Sequence, residues 1–248
     1  MSDVATPRVE LIAWTAFATP SDVSWSTDAE GGSALAEFAG RSCYQAWDKS
    51  NPATATNYGY LRHVLEVGHH AVLEHASATF YLTGISRALA AELTRHRHFS
   101  FSELSPRHVP DQQSVVEPTV VAEDPDLHRA FLAGVAAAEV AHRQLLDGLQ
   151  ERFADSGGAG LRRKQLRQAA RTLLPGATET TLVMTGNYRA WRQLLALHGA
   201  DHADQEMRVV VLGCLAALQK LAPAVFADFV VTTLPDGSQV TSSPLASL

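Results

Sequence analysis

Hydrophobic residues recur along the chain at two spacings, the 3.6-residue period of helices and the two-residue period of strands. Val9 to Trp14 reads as an early strand, and Ser33 to Trp47 as a helix after the Gly31-Gly32 turn. Tyr60, Leu61, Val64 and Leu65 share one face of a helix predicted over Asn57 to Val67. Ala76 to Leu82, rich in Thr, Phe and Tyr, predicts a second strand, which gives way at Gly84 to Ser86, a suitable N-cap for a helix from Arg87 to Arg95. From His98 to Pro110 three serines and two prolines break any period, so this segment is expected to be an ordered loop. Glu117 to Pro125 is expected to be a second, mobile connection before a long alanine-rich helix from Asp126 to Phe153, which Asp155 to Gly160 ends. Leu161 to Leu173 predicts a helix stopping before Pro175, Thr178 to Met184 a strand, and Asn187 to Leu197 and His202 to Leu221 two further helices. Phe226 to Thr233 and Gln239 to Thr241, joined through Pro235-Asp236-Gly237, predict a terminal hairpin.

No internal repeat, low-complexity tract or linker divides the chain, so residues 1 to 248 are expected to form one domain. Strands and helices alternate irregularly and no glycine-rich strand-to-helix fingerprint occurs, which disfavours a doubly wound dinucleotide fold. Gly157-Gly158-Ala159-Gly160 lies near Lys164 but misses the phosphate-loop spacing and reads as a turn. Hydrophobic residues make up 46% of 248, ample for a large core. The longest apolar stretch, Val209 to Val231, is interrupted by Gln219, Lys220, Pro223 and Asp228, whereas a membrane span needs about 20 apolar residues in succession. Met1-Ser2-Asp3-Val4 lacks the start of a secretory signal, and the two cysteines, Cys43 and Cys214, are expected to be free thiols packed in the core. A soluble protein of the reducing cytoplasm is the expectation.

A net charge of −6 argues against a nucleic-acid coat. The cations are nevertheless clustered: Arg95-His96-Arg97-His98 with Arg107; Arg162-Arg163-Lys164 with Arg167 and Arg171; and Arg189 with Arg192. Local clusters in an acidic chain point to a compact anionic ligand such as a nucleotide phosphate.

The stretch from Arg95 to Arg107 places two guanidinium groups and an imidazole at a helix end, then a hydroxyl, Ser105, and a third guanidinium, Arg107, on the adjoining segment. Such donors suit a phosphate or a polarised carbonyl, and equally Arg95 and Arg97 would offset the negative end of the helix dipole. Arg163, Arg167 and Arg171 fall at i, i+4, i+8, one row of a helix. A solvated face explains the first two, whereas Arg171, among Leu173, Leu174 and Pro175, would need an anionic partner if buried. Asn187, Arg189, Arg192 and Gln193 open a helix directly after a strand, where free backbone amides and carboxamides would read a base or a flavin edge. His69-His70, Glu74-His75, His198 and His202 match no zinc spacing, and no catalytic metal is expected. The absence of a Gly-x-Ser-x-Gly elbow disfavours a serine hydrolase.

Arg95-His96-Arg97, seven intervening residues, then Ser105 and Arg107 resembles the signature of the flavin-dependent thymidylate synthases. Gly68-His69 with Glu74-His75, Ser86-Arg87, Ala170 to Pro175, Gly186-Asn187-Tyr188-Arg189-Ala190-Trp191, and His202-Ala203-Asp204 with Glu206 extend the resemblance along nearly the whole chain, closest to the actinobacterial branch. The resemblance implies an α+β fold, a single domain with a central, largely antiparallel sheet flanked by helices, assembling as a homotetramer. It implies FAD as cofactor, with NADPH and 5,10-methylenetetrahydrofolate as co-substrates, and reductive methylation at C5 of dUMP, or of UMP as in a nucleoside-antibiotic pathway. An enzyme thiol is not required by that class, which agrees with Cys43 and Cys214 lying outside every motif. The alternative expectation is a non-catalytic nucleotide- or RNA-binding protein on the same scaffold, which would have no use for a flavin.

Carried over by position, His69, Glu74, Arg95, His96, Arg97 and Asn187 match flavin contacts; Arg87, Glu92, Ser105, Arg107 and Arg171 match nucleotide contacts; and Lys164 matches a further basic residue beside the nucleotide. Arg87, Arg107 and Arg171 would neutralise the phosphate and Ser105 would orient the uracil, since no general base accompanies it; Ser105, Arg107 and His198 form the catalytic set that the resemblance implies, with His198 also facing the nucleotide. The chain departs from the family at two positions. Gln193 stands where relatives carry Asn or His near the flavin. His198 stands where they carry an arginine facing the nucleotide, replacing a permanently charged fork by a group only partly charged near neutrality.

Overall fold

The computed structural model describes residues 3–105, 114–153 and 159–246, with the side chains of 159–162 excepted. In chain order the elements are β1 (Arg8–Trp14), α1 (Gly31–Tyr44), α2 (Asn57–Glu66), β2 (Ser77–Ser86), α3 (Arg87–Leu93), β3 (Phe99–Glu103), α4 (Thr119–Ala122), α5 (Pro125–Arg152), α6 (Ala159–Ala170), β4 (Glu179–Asn187), α7 (Tyr188–His198), α8 (Gln205–Leu221), α9 (Pro223–Phe226), β5 (Val230–Thr233) and β6 (Gln239–Ser242). Short 3-10 turns cover Pro52–Thr54, His70–Glu74 and Arg171–Leu173. The architecture is α+β. A four-stranded sheet runs in the order β1-β2-β4-β3, and β5 pairs antiparallel with β6, Val230 opposite Ser242 and Thr233 opposite Gln239. Among the described residues no helix is long and apolar enough to cross a membrane.

The chain forms two compact units, one from Met1–Pro7, Thr83–Arg95 and Ser102–Leu182, the other from Arg8–Leu82, His96–Phe101 and Val183–Leu248. The second unit holds α1, α2, α7, α8, α9 and the hairpin. Its core centres on Trp191, fully buried, whose ring meets Phe80 at 4.9 Å and Phe99 at 4.8 Å and whose indole N–H donates to the Ala78 carbonyl at 3.2 Å. Arg192 is turned inward from α7: its guanidinium makes two 2.7 Å bonds to the Asp228 carboxylate, both side chains being about 5% exposed. It also donates to the Val225 and Leu245 carbonyls and lies over the Phe229 ring. In α1 a second buried pair joins Arg41 to Glu37 at 2.7 Å, with Asn57 and Thr27 donating to the same carboxylate.

The first unit holds α3 to α6. Helix α5 buries only Val135 and His142 along its length. The His142 imidazole Nδ1 lies 2.9 Å from the carbonyl of Ala170, the last residue of α6.

Four sequence expectations are corrected. The segment from Phe99 to Glu103 is strand β3, not loop: Phe99 and Phe101 are half-buried while Ser100 and Ser102 are exposed, a two-residue alternation that serine composition concealed. Phe99 packs so closely on β4 that a Cβ at Gly186 would fall 2.3 Å from its ring. Within Glu117 to Pro125 the backbone is tied, because Pro118 leads into α4, Asp124 caps α5 through the amides of Asp126 and Leu127, and Glu117 bonds the His128 ring at 2.8 Å. Strand β2 continues through Gly84, whose φ of +65° and approach to the Thr6 carbonyl leave no room for a side chain. Cys214 is buried as expected, but Cys43 is exposed.

Candidate active site

In the second unit three of the flavin-matching residues, Glu74, Asn187 and Gln193, meet around the start of α7. Glu74, His98, Asn187, Arg189, Ala190 and Gln193 line one cavity of about 330 Å³. Asn187 ends β4 and caps α7, its side-chain oxygen accepting from the Ala190 amide at 2.8 Å. The Tyr188 amide donates to Ala76. Two amides of the first turn are therefore satisfied internally, which narrows the set of free backbone donors expected there, and the carboxamide nitrogen of Asn187 is what its cap leaves for a ligand. Arg189 bonds Glu74 at 2.6 Å, both lining the cavity and about half exposed. Arg189, one of the clustered cations of the sequence, belongs to the site through its pairing with Glu74. Arg192, grouped with it, is withdrawn into the Asp228 pair and does not serve a ligand.

Of the signature residues, Arg97 is exposed and His96 half-buried. His96 Nε2 lies 2.8 Å from His198 Nε2, the rings meeting edge to face at 4.8 Å. Burial pushes both imidazoles below their ordinary pKa, and for His198 the neighbours His96 and His202 add to that effect. His69 is exposed at the lead-in to the 3-10 turn that ends in Glu74.

In the first unit Arg87 begins α3, capped by the Ser86 hydroxyl on the Leu89 amide at 3.0 Å. The amides of Arg87 and Ala88 donate to the Thr178 and Gly176 carbonyls, which fixes the helix start. The Arg87 guanidinium lies 3.8 Å from Glu103, which also accepts from Thr180 at 3.3 Å. Glu103 stands two residues before Ser105, but no motif or spacing in the sequence singles it out. Glu92 and Arg95 are exposed, and Ser105 is half-buried. Lys164 is half-buried on α6. Arg171 does not continue the row of Arg163 and Arg167, because α6 ends at Ala170 and Arg171 opens a 3-10 turn. Arg107 lies outside the described residues.

A larger cavity of about 660 Å³, lined by Trp14, Phe17, Trp25, Thr27, Glu30 and Gly31 among others, contains none of these residues. Among the described residues no group of three or more His, Cys, Asp or Glu is assembled as a metal site.

Residues 26–224 match the family model described as thymidylate synthase complementing protein. The chain is 57% identical over its whole length to a flavin-dependent thymidylate synthase of Mycobacterium marinum, and 56% identical to one of Mycobacterium tuberculosis, covering 99% of each. Among solved structures it is similar to the UMP/dUMP methylase PolB of Streptomyces cacaoi bound with 5-Br dUMP, with a TM-score of 0.68 at 20% identity, covering 92% of this chain and 96% of that one. A second structure of that methylase, bound with 5-Br UMP, gives a TM-score of 0.65 at 22% identity. Through the full-length identity and the family model, this chain belongs to the flavin-dependent thymidylate synthases, a family of methyl-transferring enzymes of nucleotide biosynthesis.

Proposed function

We propose that the protein methylates C5 of a uracil nucleotide, dUMP and also UMP, using FAD, NADPH and 5,10-methylenetetrahydrofolate. The observation that carries the flavin assignment is the single cavity joining Glu74, Asn187, Arg189 and Gln193. Its carboxamides, guanidinium and carboxylate alternate donors with acceptors, which suits a ring edge and hydroxyls more than a bare phosphate. At about 330 Å³ it is near the lower end of small-molecule pockets and takes one end of a dinucleotide rather than the whole. His69, Glu74, Arg95, His96, Arg97, Asn187 and Gln193 would hold the flavin. When bound, it supplies the hydride and relays the one-carbon unit.

The chain's own residues bind and orient the nucleotide. Arg87, Arg107 and Arg171, with Lys164, neutralise the phosphate, and Glu103 keeps the Arg87 fork turned to one side. Glu92 and Ser105 orient the sugar and base. His198, in the position facing the nucleotide, is mostly uncharged near neutrality because burial opposes its protonation. It therefore offers less fixed charge and less bulk than an arginine, and a pocket that merely tolerates a ribose 2′-hydroxyl rejects it weakly. The likeness to a methylase named for both UMP and dUMP agrees with that reading.

A homotetramer is the proposed assembly of this one family domain. Exposed Ile12, Trp14 and Tyr81 in one unit and Leu127, Val140 and Leu145 in the other are apolar surface that self-association would cover. The test is spectroscopic: the purified protein carries or takes up FAD at about one per chain, and turns over dUMP with NADPH and the folate. Protein that gains no flavin absorbance on incubation with FAD would sink the proposal.

A further inference from the structure

Two imidazole nitrogens 2.8 Å apart, as His96 Nε2 and His198 Nε2 are, cannot both be protonated nor both be bare. One donates and the other accepts. In the neutral pair, one ring is the Nε2-protonated tautomer and its partner the Nδ1-protonated one. One added proton keeps the bond, with an imidazolium donating to a neutral ring. A second would oppose two cations with no acceptor between them. The pair therefore carries a charge of zero or one, and its titration belongs to the pair.

The surroundings hold this geometry. His198 ends α7, and the next residue, Gly199, donates to Leu195 at 2.9 Å and accepts from the Thr241 amide at 2.7 Å. A Cβ at Gly199 would strike the Thr241 methyl, so β6 seats the backbone that carries His198. Phe99 meets the His96 ring edge to face at 6.5 Å. The elements packed on α7 bring their own charges. The turn before β2 brings His70 and Glu74, with Glu74 bound to Arg189; α8 brings Glu206, Arg208 and Lys220; and β6 has no titratable residue. Arg97 and His98 follow His96 in the chain. None of these is the group whose charge acts on His198 besides His96; that group is His202, in the link between α7 and α8.

We infer that His198 is a positioning residue: through one shared Nε2 proton it holds His96 in a single tautomer and orientation on the flavin side of the site, and the pair lends that side one positive charge that is gained and lost with pH. This rests on the proposed flavin site, and an arginine at position 198 would replace the switchable charge with a permanent one.

Two measurements test it. In histidine-labelled protein without flavin, ring-nitrogen NMR is expected to show one protonated and one bare Nε2 for His96 and His198, changing together in one step on acidification. Two rings that titrate independently, each in the same tautomer, would overturn the shared proton. The second measurement is the FAD dissociation constant from pH 8 to pH 6 for wild type, His198→Gln and His198→Ala. Wild type is expected to bind more tightly as the pair gains its proton, by up to ~10-fold per pH unit for one linked proton, with His198→Gln lacking that component. At pH 8 the glutamine carboxamide restores a hydrogen bond to His96 and keeps affinity near that of wild type, while His198→Ala loses ~10-fold. Identical pH profiles for wild type and His198→Gln refute the inference. A protein that binds no FAD at any pH overturns the functional reading and the flavin half of this one, while the nitrogen spectra still decide the shared proton.

Discussion

Asp228→Ala removes one partner of the Arg192 pair, and the structure sets what that costs. Both side chains are about 5% exposed, and the two 2.7 Å bonds form a bidentate fork. Leaving a buried guanidinium without its counter-charge costs about 3–5 kcal/mol. The Val225 and Leu245 carbonyls and the Phe229 ring continue to solvate Arg192, which favours the lower end. That is a large part of the about 5–15 kcal/mol a domain has in total, and corresponds to a fall in melting temperature of roughly 6–20 °C. Urea and thermal denaturation at pH 7 measure it. The pH dependence follows with a definite sign. Burial alone would raise the Asp228 pKa, but hydrogen bonds from Arg192 and Ser243 and the Arg192 charge bring it below the ordinary carboxylate value. A carboxylate depressed in the folded state contributes stability that is complete above the unfolded pKa and disappears as pH falls through the folded one. The difference between wild type and Asp228→Ala therefore narrows in acid below about pH 4. A loss under about 1 kcal/mol at pH 7 would refute the reasoning, since that is the size of an exposed pair. Replacing both partners by apolar residues, Arg192→Met with Asp228→Leu, should recover part of the loss.

Arg171→Ala and Arg107→Ala each weaken nucleotide binding by roughly 1.5–3 kcal/mol with flavin content intact; calorimetric titration with dUMP checks both, and unchanged affinity would remove them from the phosphate site. UMP is methylated as well as dUMP, and His198→Arg shifts preference toward dUMP; comparing the two specificity constants decides, with undetectable UMP turnover beside brisk dUMP turnover as the refuting result. Burial pushes the Cys214 thiol well above its ordinary pKa, so in the native protein Cys43 reacts with a disulfide reagent and Cys214 does so only after unfolding. Equal rates for both thiols would contradict the described core.

Periodicity located most elements because their buried faces carry it. Helix α5 was predicted as 126–153 and spans Pro125–Arg152, and α7 was displaced by one residue because Asn187 is its cap. Strand β3 escaped because five residues, two of them serines, give too few repeats to outweigh composition. The fate of Arg192 was not legible either. Its partner, Asp228, is 36 positions away, and spacing along α7 cannot distinguish a cation that points at a ligand from one that points at a distant carboxylate. The same limit hid Glu103 beside Arg87 and the meeting of His96 with His198, which are 102 positions apart. Residue type and local order were visible in the sequence, but pairing across the fold was not.

The two units are interleaved along the chain, with exchanges after Pro7, Leu82, Arg95, Phe101 and Leu182. No contiguous piece of the coding sequence therefore encodes either one, and neither can be acquired, lost or exchanged by a single recombination. During synthesis the unit ending at Leu182 has all its residues before Val183–Leu248 is translated. The other unit contains Val183–Leu248, the segment that carries Asn187, Arg189, Gln193 and His198. The cavity-lining face of α7 is thus translated only after every residue of the first unit, and a nascent chain stalled before Asn187 lacks two of the seven residues proposed to grip the flavin, Asn187 and Gln193.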